Sequence, residues 1–201
     1  MMIAMVLGIF ITGVIITVFS TNVRSSTENI KMIRLNQELR GAMTMIVDEL
    51  RRTGYSASPS GFSHMGDFNP LDDDCVRYSY DENHSSSRDT DERFGFKLEG
   101  NIIKWGKDFT SDDCSASTTT LDNITDPNLA FITTLDFDIT GSVNKLNSVV
   151  STGDIALTKT TGISLYDITI TLIGTTDLPH GSAAKRTIVE TIRVRNDDPK
   201  D

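Results

Sequence analysis

The run DENHSSSRDTDE, Asp81 to Glu92, is the part of the sequence closest to ligand chemistry. As a twelve-residue calcium loop it would offer oxygens from Asp81, Asn83, Ser85, the Ser87 carbonyl, Asp89 and Glu92, the alternate spacing of an EF-hand. Two features point the other way. Ser86 stands at the sixth position, where glycine normally makes the sharp turn, and β-prone segments flank the run in place of helices. The plain alternative is a solvated acidic hairpin loop. Calcium is the one cofactor the residues suggest.

Other candidates carry less. Asp72, Asp73 and Asp74 precede Cys75, and Asp112 and Asp113 precede Cys114. Two cysteines alone cannot complete a structural zinc site, so a disulfide is the better reading for a domain outside the cytoplasm. That bond would bring the two acidic clusters together, to repel or to share a cation. His64, His84 and His180 fall in expected loops without metal-ligand spacing. GxSxG, HExxH and a phosphate-binding glycine loop are all absent from the sequence, and Ser182 lacks the strand-turn-helix setting of a nucleophile elbow. No enzyme is expected. A net charge of −9 leaves no basic stripe for phosphates, so nucleic acid is not an expected partner.

The elements that would position these residues begin with an uncharged run, Met1 to Phe19. As a helix it spans about 28 Å, close to the bilayer's ~30 Å hydrocarbon core. It lacks the basic n-region and small-residue cleavage site of a secretory signal. Its Thr12 and Thr17 can bond back to their own helix. Beyond it, Met32, Leu35, Leu39, Met43, Ile46 and Leu50, widened by Ala42 and Val47, recur at helical spacing. Arg51 and Arg52 suit a last turn and Gly54 a C′ position. The expectation is one helix over 1–54, transmembrane over 1–19 and amphipathic over 20–54, the alternative being a break near Ser20 to Ser26. Arg24, Lys31, Arg34 and Arg40 follow the span, which taken alone would hold the bulk of the chain inside. The cysteines and the polar composition argue for the outside.

After Tyr55 the reading turns to β-structure. Residues 56–74 read as loop, punctuated by Pro59, Gly61, Gly66 and Pro70. Residues 76–80, 131–139, 165–173 and 186–195 show two-residue alternation, and 93–105 reads as two strands joined near Gly100. TTDLPHGSAAK reads as a hairpin loop, and Trp105 as a core-anchoring strand residue. Residues 55–201 are therefore expected to form a β-rich head, an antiparallel sheet of five to seven strands with one face on the amphipathic helix. The fold class is α+β.

MIAMVLGIFITGVI, running into a long helix that ends DELRRTGY, resembles the N-terminal half of type IV pilin-like proteins. CVRYSYDENHSSSRDTDERFGFKLEGNIIKW, LDNITDPNLAFITTLDFDI and KRTIVETIRVRN are similar to segments of the PilW-type minor pilins within that family. That family carries a leader ending in glycine, an aromatic residue and then a glutamate; Met1 aligns just after that glutamate, so the natural chain is expected to start upstream.

The resemblance implies a minor pilin that takes part in type IV pilus assembly or priming and sits in the filament or at its tip. It implies a single-pass inner-membrane protein with an extracytoplasmic head, later moved into a filament at the cell surface. Other pilins and minor pilins would be its partners through Met1, Ile3, Met5, Val6, Leu7, Ile9, Phe10, Ile11, Val14, Ile15, Ile16, Val18 and Phe19. Cys75 and Cys114 would be bonded. Two rivals stand beside this reading: a J-type pseudopilin of type II secretion, and a membrane-anchored extracytoplasmic binding domain with a cation site.

Overall fold

The computed structural model describes residues 2–57, 69–72, 74–87, 89–109, 121–139, 143–145, 162–165, 167–179, 181, 183–194 and 198–200. A single helix, α1, runs unbroken over Met2–Leu50, about 74 Å at 1.5 Å per residue. Nothing in it forces a break: it holds no proline, and an internal glycine costs only about 1 kcal/mol. Its last turns tighten, with Arg52 N–H donating to the Glu49 carbonyl at 3.0 Å and Thr53 N–H to Leu50 at 3.2 Å. Gly54 then takes the left-handed conformation, φ 76°, at the expected C′ position. Its N–H crosses to the Ser79 carbonyl at 2.9 Å and so ties the helix end to the head.

The strands are β1 (Asn69–Asp72), β2 (Cys75–Ser79), β3 (Arg93–Glu99), β4 (Ile102–Gly106), β5 (Asp122–Asn123), β6 (Phe131–Asp138), β7 (Val143–Lys145), β8 (Gly162–Leu165), β9 (Asp167–Asp177), β10 (Ala183–Arg193) and β11 (Asp198–Lys200). They form three antiparallel sheets where one was expected, ordered β1-β2-β3-β4-β5, β10-β9-β6 and β11-β8-β7. A β-strand, β1, lies in the segment read as loop, and it pairs with β2 around Pro70, a residue tolerated at a sheet edge. The β9–β10 hairpin is also longer than read, because pairing continues to Ala183↔Asp177 through residues taken as loop. The β3–β4 turn matches its expectation. Gly100 and Asn101 have φ of 61° and 66°, as a two-residue primed hairpin turn requires.

In β6 the predicted alternation fails at its start. Phe131 is exposed and Ile132 buried, because a bulge between Ile132 and Thr134 shifts the register before Leu135 and Phe137 turn inward. Strand β2 is buried along its whole length, so both its faces are covered.

One core joins helix and sheets. Leu35, Leu39, Met43, Ile46 and Leu50 of α1 pack into the same cluster as Val76, Phe96, Ile103, Ile132, Leu135, Ile170 and Leu172. Met32, also expected there, is half-buried. Each such aliphatic or aromatic side chain contributes about 1.5–3 kcal/mol when removed from water. Contact between α1 and β9 is closest at Gly174, where a Cβ would stand 2.8 Å from Leu39 Cδ2 and 3.3 Å from Leu35 Cδ1. The sheets are linked at Asn101, whose carbonyl accepts from Ile132 N–H at 3.0 Å and whose Nδ2 donates to Ile132 O at 2.9 Å.

Candidate functional site

The sequence singled out the apolar half of α1, and the structure leaves it bare. Residues 2–26 are exposed throughout, with Ile3, Ile9 and Phe10 each at least 70% accessible. Ile3, Met5, Val6, Leu7, Ile11, Val14, Ile15, Ile16, Val18 and Phe19 share that exposure; Met1 lies outside the described residues. An isolated helix of this composition gains nothing from water on any side. It is long and apolar enough to cross a membrane. Its polar atoms are met internally: Thr12 Oγ1 donates to the Gly8 carbonyl at 2.8 Å and Thr17 Oγ1 to Gly13 at 2.9 Å. At Gly13 the helix surface is low and open, flanked by Ile9, Phe10, Val14, Thr17 and Val18. A protruding apolar side chain from another helix would fit there.

The amphipathic half is fixed to the head by polar contacts as well as by the core. Lys31 Nζ donates to the Asp177 carbonyl at 2.8 Å, and Glu38 Oε1 accepts from Asp126 N–H at 2.7 Å. At the far end Glu49 Oε2 accepts from the Tyr78 and Tyr80 hydroxyls at 3.3 and 3.4 Å, while its Oε1 pairs with Arg52 at 3.1 Å. Trp105 Nε1 donates to the Tyr78 oxygen at 2.8 Å, so Trp105 is both the strand anchor expected and a polar link. Burial, followed by the Glu49 charge, pushes the Tyr78 phenol well above its ordinary range, so it stays a donor. The ring of Tyr80 stacks on Phe94 at 4.4 Å, and Phe94 on Trp105 at 6.0 Å. This junction was not foreseen. The sequence reading did not single out Glu49, and nothing local marks this half-buried residue as an acceptor for two tyrosines.

The acidic loop is closed by contacts to its own amides. Asp81 is buried, and its Oδ2 accepts from the Ala57 and Ser86 N–H groups, both at 3.0 Å. Burial alone would raise its carboxyl, yet the amides of Ala57, Ser86, Ser85 and His84 together hold it below its ordinary value. Glu92, also buried, accepts from the N–H groups of Glu82, Asn83 and Asp89 at 3.0 to 3.2 Å. Asn83 Nδ2 donates to Asp89 Oδ2 at 3.1 Å, and the Ser85 hydroxyl donates to the Ser87 carbonyl at 3.0 Å. His84 and Ser86 adopt left-handed φ of 62° and 63°, which aims the amides inward. The residues offered as calcium ligands thus meet as caps for their own loop. Among the described residues no three His, Cys, Asp or Glu side chains converge to hold a metal.

Cys75 is buried at the head of β2 and is disulfide-bonded. Cys114, Asp73, Asp112, Asp113, His64, His180 and Ser182 lie outside the described residues.

A long N-terminal helix, half bare and half packed on antiparallel sheets, is the α+β arrangement of a pilin-like protein. The profile of the family described as prepilin peptidase-dependent protein B matches residues 28–194, and the chain belongs to that family. It is a pilin-related protein. No curated protein and no solved structure matches the chain.

Proposed function

We propose that this chain is a minor pilin of the PilW type, made as a single-pass inner-membrane protein and then drawn into a type IV pilus. The observation that carries the reading is the wholly exposed apolar half of α1 joined rigidly to a folded head. A lipid anchor needs only the span. A span continued without a break into a helix docked on the head also fixes the orientation of the head on any bundle the span enters. In the membrane the bare half is surrounded by lipid; in a filament, helices of other pilins replace the lipid. The bond between Cys75 and Cys114 would brace the head outside the cytoplasm. No catalytic role is part of this reading.

The test is to shear surface filaments from cells with and without the gene and probe both fractions for the chain. The reading requires the chain in sheared filaments and fewer filaments without it. Normal filament number with the chain confined to membranes would overturn it. Retention of secreted proteins in the deletion strain, with filaments unaffected, would assign the chain to a secretion pseudopilus.

A further inference from the structure

A cavity of about 510 Å³ opens between the end of α1 and the acidic loop, lined by Arg51, Arg52, Tyr55, Tyr80, Asp81, Glu82 and His84. That volume lies in the range of small-ligand sites. Most of its charges are already committed. Asp81 faces the loop amides, Glu82 Oε2 pairs with Lys107 at 2.5 Å, and Arg52 pairs with Glu49 while lying over the Tyr80 ring at 5.9 Å. The helix end adds little negative potential, because the Val47, Glu49, Leu50 and Arg52 carbonyls accept from the N–H groups of Arg51, Arg52, Thr53 and Tyr55.

Arg51 is the exception. Its pair with Asp48 is long, 3.7 Å, within one helix turn, and both side chains are largely exposed. Such pairs are readily displaced. In the same lining, Tyr55 and His84 form an edge-to-face pair with ring centroids 6.0 Å apart. The available chemistry is one cationic fork and an aromatic pair, with the Glu82 carboxylate also in the lining.

We propose that this cavity binds a carboxylate carried on a sugar-sized ring, of the hexuronic acid class. Arg51 takes the carboxylate through two parallel N–H bonds. The C–H face of the ring rests on Tyr55, and its hydroxyls meet His84 and Glu82. The inference is independent of the pilus reading.

The test uses the full chain in detergent micelles and saturation-transfer NMR with galacturonate, against galactose (ring without carboxylate) and acetate (carboxylate without ring). Galacturonate saturates at millimolar concentration, and the two controls bind at least about tenfold more weakly. Arg51→Ala and Tyr55→Ala each weaken galacturonate by a similar factor, with circular dichroism showing both variants folded. Equal binding of galactose or acetate, unchanged affinity in Arg51→Ala, or no binding by the folded wild-type chain overturns the proposal.

Discussion

Gly174 decides how closely the stalk approaches the head. A Cβ at this position would enter the space held by the Leu39 and Leu35 methyl groups. Gly174→Val is expected to destabilise the fold by about 1–3 kcal/mol, the usual penalty for overpacking. Thermal unfolding of the full chain in detergent measures it, and an unchanged Tm would show that the helix does not seat there. Asp81 makes a pH-dependent contribution. Its carboxyl is held below its ordinary value in the fold, so its stabilisation is present above the unfolded pKa and is lost as pH falls through the folded one. Stability should drop on acidification from that ordinary value downward, and Asp81→Asn should flatten the acid limb of a Tm-against-pH curve. A limb of the same steepness in the variant would exclude Asp81 as the cause. The residue scale is also where the sequence was least legible. Glu92 closing on the Glu82 and Asn83 amides, and the half-buried Glu49 meeting Tyr78 and Tyr80, depend on neighbours 9 to 31 positions away along the chain, although the Asp89–Glu92 capping box is local. A central glycine in a strand pattern does carry a signal of close backbone approach, so Gly174 was readable in principle.

At the scale of elements, legibility was high wherever periodicity is long. The helical spacing from Leu35 to Leu50 identified the buried face of α1, since burial of one face is what periodicity encodes. The β3–β4 turn was readable because Gly100 and Asn101 are residues that accept positive φ. Strand β1 and the inner register of β6 were not: a proline at an edge reads as loop, and a bulge breaks the two-residue rule that revealed the strand. The Asp81–Glu92 loop resembled a cation loop because alternate oxygens serve both purposes, binding a metal or capping amides. Its carboxylates already receive N–H groups, so treatment with EDTA is expected to leave the Tm and amide exchange of this loop unchanged. A clear fall in Tm restored by calcium would show that the loop holds the ion.

The whole molecule divides by burial within α1 itself. The core draws on the helix from Leu35 onward, and just before it the Lys31 side chain reaches the head at the Asp177 carbonyl. Removal of residues 2–27 should therefore give a monodisperse, detergent-free protein with a Tm close to that of the full chain. Removal through residue 44 takes Leu35, Leu39, Ala42 and Met43 out of the core and should leave an unfolded or aggregated product. Gel filtration and circular dichroism on the two truncations decide it; a shorter truncation that fails to fold would mean the bare half contributes to the head.

The seat of α1 on β9 has a mechanical side. Lys31 meets Asp177, and Leu35 and Leu39 meet Gly174, so the helix ascends as the strand descends. Strand β9 is the middle strand of its sheet, laddered to β10 on one side and β6 on the other. A pull on the free end of the helix therefore enters the head along its best-tethered strand. Both ladders are then loaded in shear, many hydrogen bonds bearing tension together, where an edge strand would unzip one bond at a time.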